Sequence, residues 1–245
     1  MELSKSKFSF GGKSSESFYL TVEKLPVIIA PGKKYSTISV PGRNGELHVE
    51  ENAFRNYVQP YECWFRAPNA KAPEAAHAIK EWLLGSWGVQ ILRDSYDPDH
   101  FRKAVYLGPM DMERLLNEYG RCTIQFSCSP QSFLCVGEQK SIFTTAGTLR
   151  NPTPFTALPL ITVYGSGAGV LNVGKQQVEI KELADVLTLD CESMNAYRKT
   201  GDDGAQNKNN TISAPVFPEL TAGENNISWT GGVERIEIIP RWWTL

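Results

Sequence analysis

The stretch VPGRNGEL, residues 40–47, decides how the first half of this chain is read. YSTISV precedes it and ELHVE follows it, and both alternate as strands do. Asn44-Gly45 is a strong two-residue hairpin signal, because both residues reach positive φ readily. Pro41 stiffens the approach and removes a backbone donor. The stretch therefore reads as a stiff hairpin tip that displays Arg43. A hairpin held by so few strands is marginal alone and gains most by packing on a neighbour.

Outward from that tip, the period of two persists. YECWFRA, GVQILRD, AVYLG, RCTIQFSC, LITVYG, VLNVG, QQVEIK, VLTLDCES, NISWT and VERIEIIP all read as strands. Only APEAAHAIKEWLLG, about residues 72 to 84, has a convincing helical period. Pro73 suits its first turn and Gly85 its C-terminal cap, with Ala75, Ala76, Ile79, Trp82 and Leu83 on one apolar face. DMERLLNE fits either a single turn or a strand. YGSGAGVLNVG reads as a tight hairpin, and the polar RKTGDDGAQNKNN as a mobile hairpin loop. TLRNPTPFTALPL holds three prolines, which interior strands tolerate poorly. We expect a mainly β protein with a first domain over residues 1–137, a connection over 138–156 and a second domain over 157–245.

Composition narrows the function. The chain has 245 residues, 41% hydrophobic and 21% charged, with a net charge of -2. No basic excess points to nucleic acid. No apolar run approaches the ~20 residues of a membrane span, and MELSKSKFSF lacks the apolar stretch of a signal peptide. The expectation is a protein made and folded in the cytosol. The five cysteines include no CxxC pair. Cys122 and Cys128 alternate with Ile124 and Phe126 and read as small core hydrophobes.

No constellation for catalysis stands out. His48, His77 and His100 lack the surroundings of a nucleophilic triad, and neither G-x-S-x-G nor H-E-x-x-H occurs. DSYDPDHFRKA carries Asp94, Asp97 and Asp99, but its spacing is unlike a calcium loop. Asp97-Pro98 reads as a turn, with Asp side chains bonding nearby amides and Phe101 returning to the core. The glycines of YGSGAG have the wrong spacing for a dinucleotide fingerprint and run into a strand. We expect no enzyme, cofactor or metal.

The order of features resembles one family, the distal tail protein (Dit) of long-tailed phages. FSFGG at residues 8–12, VPGRNG, the helix ending in WLLG, DSYDPDHFRKA at 94–104, FSCSP, NPT, LDCESMNAY, FPEL and the terminal PRWW occur in sequence, nearly end to end. The resemblance implies an antiparallel β belt domain with one α-helix and a long hairpin, followed by a galectin-like β-sandwich. It implies a structural hub: a hexameric ring, with or without a second stacked ring, that joins the tail tube to the tail-tip fibre or lysin protein. Receptor-binding proteins often attach to such hubs. The location implied is the virion tail tip, after synthesis in the host cytoplasm.

Within that frame Pro41, Gly42, Arg43, Asn44 and Gly45, together with Asp94, Asp97 and Phe101, are the expected contact residues of the ring. Trp229 and Trp243 are the candidates for outward contact. A carbohydrate-binding adhesion module is the first alternative, weakened because the second half has no histidine to match a galectin sugar site. A small glycan hydrolase is the second.

Overall fold

The computed structural model describes residues 6–67, 71–114, 116, 118–200 and 204–245. The chain divides into two compact units, one ending at Ser132 and joined by Leu245, the other running from Phe133 to Thr244.

The first unit contains β1 (Phe8–Phe10), β2 (Lys13–Ser14), β3 (Leu20–Val22), β4 (Lys33–Ser39), β5 (Glu46–Phe54), β6 (Tyr57–Arg66), α1 (Ala72–Gly85), β7 (Gln90–Asp94), β8 (His100–Tyr106), β9 (Met112–Arg114) and most of β10 (Tyr119–Leu134). One sheet runs β2-β1-β7-β8-β10-β6-β3, with β9 also on β10. Its spine is the antiparallel pairing of β10 with β6 from Tyr119↔Arg66 to Cys128↔Tyr57. Alternation sends Cys122, Ile124, Phe126 and Cys128 inward, as their spacing predicts. There they meet Phe8, Phe10 and Tyr61, with Phe8 stacked 4.9 Å from Tyr61 and Phe10 4.7 Å from Phe126. Burial pushes the Cys122 thiol up to about 11 and that of Cys128 to about 12, so both stay neutral packing groups.

The helix lies where its period places it. Ala72, Ile79, Trp82 and Leu83 are buried. Trp82 stacks on Phe18 at 4.4 Å and donates its indole N–H to the Phe10 carbonyl at 3.1 Å. Gly85 ends the helix without positive φ. The cap is Ser86, whose hydroxyl donates to the Trp82 carbonyl at 2.8 Å. The DMERLLNE segment forms a short strand over its described start, β9.

The second unit adds β11 (Ser141–Phe143), β12 (Gly147–Asn151), β13 (Leu160–Val173), β14 (Gln176–Asp190), β15 (Asn195–Thr200), β16 (Gly204–Asn207), β17 (Ile212–Ser213), β18 (Gly223–Ile239) and β19 (Trp243–Thr244). Its sheet runs β11-β18-β13-β14-β15-β16, with β12 on β18 and β17 on β14. Two expectations fail here. Residues 138–156 are not a connection, because β11 and β12 both pair with β18. The prolines after β12 are held by Asn151, whose buried amide donates to the carbonyls of Phe155 and Leu220 at 2.8 and 3.0 Å. YGSGAG is not a hairpin either. It lies inside β13, where the register against β14 and β18 shifts between Gly165 and Gly169. Gly231 and Gly232 face it from β18 at backbone contact, and a Cβ on Gly232 would overlap the Ser166 carbonyl oxygen. Small residues on both strands let them bend and cross without ending. The polar insertion forms the hairpin β15–β16, with residues 201–203 outside the described ones.

The terminal PRWW motif is a clasp within this unit. Arg241 sits at φ 57 and donates its backbone N–H to Gly137 at 2.9 Å, while its guanidinium bonds Asp190 at 2.7 Å. Trp242 is buried, and its carbonyl accepts from the Leu134 N–H at 2.9 Å.

Two outcomes test this account. Gly232→Ala should lower the stability of the second unit by about 3 kcal/mol or more, read as a fall in its melting temperature. Burial works against the charged form of Asp190, but the Arg241 bond and charge outweigh it and hold the carboxyl below its ordinary value. The native form therefore binds its proton less readily than the unfolded chain. The stabilisation is present above the unfolded value of about 3.9 and is lost as pH falls through the native one. Acid titration of unfolding should show this loss in the parent and not in Asp190→Asn.

Candidate functional site

The hairpin β4–β5 is a two-stranded sheet that pairs with no other described strand. Every residue from Lys33 to Asn52 is exposed. Opposite partners share a face, so Ile38↔Leu47 and Ser36↔Val49 lie on one side, and Tyr35↔Glu50, Thr37↔His48 and Ser39↔Glu46 on the other. The first side is an apolar stripe of Ile38, Leu47 and Val49, with Val40 next in the alternation. The second carries polar groups around an edge-on Tyr35–His48 contact at 5.4 Å.

Little within the arm itself supports it. Lys33 pairs with Glu50 at 3.8 Å and Ser36 donates to Glu51 at 2.6 Å, both in water. Exposed pairs of this kind contribute at most about 1 kcal/mol. At the root, the Arg55 N–H reaches the Gly32 carbonyl at 2.7 Å. Such an arm keeps open edges and an apolar face among charged side chains, a combination that can serve contact with another surface.

The tip differs from its expected turn. The Arg43 N–H donates to the Val40 carbonyl at 3.1 Å, with Pro41 second and Gly42 third at φ 81. That is a type II turn on Pro41-Gly42. Gly45 has φ 79, but Asn44 is not among the positive-φ residues, so the two-residue Asn-Gly turn does not form. The strong Pro-Gly turn takes the reversal, and all five tip residues stay exposed.

The other expected contact residues belong to a different element, the β7–β8 turn. Asp94 and Phe101 are buried in the single chain and cannot offer the surface expected of them. The Asp94 carboxylate accepts from the Tyr61 hydroxyl at 2.9 Å, from Arg102 at 2.8 Å and from the Asp97 N–H at 3.1 Å. Burial and this carboxylate push the Tyr61 phenol far up, so it remains a donor. Phe101 lies under the Arg93 guanidinium, 4.7 Å from its ring. Asp97 is half-buried and meets His100 Nδ1 at 2.7 Å. The network sets the shape of the turn, with Ser95, Pro98 and Asp99 exposed on it.

In the second unit Trp229 packs partly buried on the core, and Trp243 stacks on Phe155 at 4.4 Å with its N–H given to the Thr156 carbonyl. An open groove of about 500 Å³ lies nearby in sequence, lined by Tyr164, Ser166, Asp185, Glu234 and Arg235, with the guanidinium of Arg235 4.1 Å above the Tyr164 ring. Among the described residues no three His, Cys, Asp or Glu side chains gather as metal ligands. No described helix is long and apolar enough to cross a membrane.

Solved structures share this architecture. The Dit protein of phage SPP1, described as a paradigm of the hub adsorption apparatus in phages infecting Gram-positive bacteria, superposes with a TM-score of 0.72 over 98% of this chain and 99% of its own, at 10% identity. The fold is that of a phage distal tail protein. A chain of the phage P2 baseplate, in its activated conformation with calcium, superposes less closely, with a TM-score of 0.51, 6% identity and coverage of 95% and 97%. The strontium form of that baseplate gives 0.52 over the same shares. No protein-family model matches the sequence, and a search of curated proteins gives no significant match. At such identities the Dit likeness is one of fold, and the residues of the arm must carry the functional argument.

The arm and the β7–β8 turn separate under mutation. Asp94→Ala leaves Arg102 without its buried partner and should reduce unfolding free energy by about 3 kcal/mol in denaturant titration. Arg43→Ala with Asn44→Ala should leave that value within about 0.5 kcal/mol.

Proposed function

We propose that this chain is a structural hub of a phage tail tip and acts by assembling with copies of itself. The observation that carries the reading is the arm: a two-stranded ribbon, exposed throughout, with apolar side chains along one face, in a chain whose whole length follows the Dit fold. A ribbon from one copy laid on the next makes a heterologous contact, and a heterologous contact whose rotation closes makes a ring. The ring is a hexamer, and a second ring can stack on it. It matches the tail tube on one side and presents docking surfaces to the tail-tip fibre or lysin protein, and to receptor-binding proteins, on the other. The protein acts at the virion tail tip after synthesis in the host cytoplasm.

The work is mechanical. No bond is made or broken, and no cofactor or metal takes part. Arg43 stands at the tip as a planar donor suited to a carboxylate on the neighbouring copy. Contact with each neighbour would bury roughly 800 Å² per partner, the usual size of a specific interface.

Negative-stain images of the purified protein should show rings with a central hole, and native mass spectrometry should give the hexamer mass or its double. Ile38→Asp with Leu47→Asp places charge on the apolar stripe without touching the core. The double variant should remain folded by circular dichroism and associate at least tenfold more weakly in sedimentation. A parent protein that stays single at every concentration, alone and beside tube and tip proteins, ends this reading.

A further inference from the structure

An arm that lies on a neighbour needs a receiving surface, and around the end of α1 and the start of β7 a second group of apolar side chains is exposed among the described residues. Over the eight residues LGSWGVQI, Leu84 in the last turn of α1, Trp87 and Val89 in the loop after it, and Ile91 in β7 are exposed. Trp87 is 86% exposed, although a tryptophan is ordinarily among the residues a fold covers best. The tight turn at Gly88, φ 72, holds it out, and the Gln90 amide fixes the loop by donating to the Trp87 carbonyl at 2.7 Å. Exposed aromatics set in such a patch are the usual centres of protein interfaces.

We propose that this loop is the acceptor for the arm of the neighbouring copy: the stripe of Ile38, Val40, Leu47 and Val49 lies along Leu84, Trp87, Val89 and Ile91. The inference rests on the self-assembly reading above and names the surface that meets the arm. Three observations support it. A heterologous contact joins two different patches of one chain, and here both patches are present, each apolar and each unpartnered. The extent also fits. One Trp and three aliphatic side chains carry on the order of 400 Å² of apolar surface. That is about half of the ~800 Å² each partner buries, and such interfaces are little more than half apolar.

The ends of the stripes complement one another in charge. The arm stripe runs out at the tip, where Arg43 is exposed and makes no ion pair with a described residue. On α1, Glu81 lies three residues before Leu84 and is likewise exposed without an ion-pair partner among the described residues. Lys80 shares that end of the helix, so an arm seated here directs Arg43 to the Glu81 side and away from Lys80. Register and direction of the arm then follow from one ion pair.

Charge exchange tests the pairing in the full-length protein. Arg43→Glu alone and Glu81→Arg alone should each weaken assembly at least tenfold in sedimentation. The two together should restore it to within about threefold of the parent. A short bismaleimide should join copies carrying only Val49→Cys to copies carrying only Val89→Cys when the two are mixed, and should join neither to itself. The parent, with its own cysteines, measures background. Failure of the exchanged pair to recover, with no mixed cross-link in intact rings, overturns the acceptor assignment. If Ile38→Asp with Leu47→Asp still abolishes those rings, the arm is confirmed as the donor and its acceptor lies elsewhere. A parent that never assembles overturns both readings together.

Discussion

Cross-strand pairing is the main support of the ribbon of residues 33–54, with only a few exposed side-chain contacts beside it. Among the described residues its ladder joins two strands, its ion pairs stand in water, and no layer packs against its apolar side chains. A two-stranded ribbon is marginal in water. The self-assembly proposed above starts from that weakness, because no described layer of the chain covers the apolar face of the ribbon. The Pro41-Gly42 turn fits the same logic. It fixes one backbone path at the tip, so less conformational entropy is lost when the ribbon finds a surface.

The rest of the first unit supplies rigidity that the ribbon lacks. Phe8, Phe10, Tyr61 and Phe126 interlock across three elements, and Trp82 ties α1 to β1 through a buried indole bond. At the β7–β8 turn, Asp94 collects a phenol, a guanidinium and a backbone amide, so both of its carboxylate oxygens are engaged. The fixed loop between α1 and β7 inherits this stiffness through Ser86 and Gln90. In the proposed contact, a marginally supported ribbon meeting a fixed loop would lose order on one side only, which lowers the entropy lost per contact.

Much of this was legible in the sequence, and the failures have physical causes. The helix could be read because Pro73 and the spacing of Ile79, Trp82 and Leu83 agree with one another. The alternation of Cys122, Ile124, Phe126 and Cys128 gave the inward face of β10 directly. The Asn-Gly turn was misread because Pro41-Gly42 competes for the same reversal, and local propensity cannot rank two strong turns in one loop. β13 was cut in two because glycine signals a chain end and a close crossing alike, and the facing pair Gly231-Gly232 lies over sixty residues away. The prolines near residue 152 looked like a linker because the side chain that secures them, Asn151, bonds a carbonyl at Leu220. Asp94 looked like a surface acid because Arg102 and Tyr61 reach it only in the fold. The alternation of Ile38, Val40, Leu47 and Val49 was visible too. That no layer covers them was not, since sequence shows which residues share a face and never what lies opposite.

In the proposed ring, closure would let a contact of this size suffice. An open row of copies always has one contact fewer than a closed ring of the same number, and its two ends remain unsatisfied. The last contact forms within one assembly, at an effective concentration far above that of free copies. Each ribbon-on-loop contact can therefore be modest in isolation and still yield a durable ring. Selection on such an interface would act on angle as much as on affinity, because a rotation that fails to close gives a filament from the same patches. An ion pair at the end of an apolar stripe suits that need. It adds little to affinity, since exposed pairs are weak, but it fixes the position and direction of the ribbon along an otherwise slippery face.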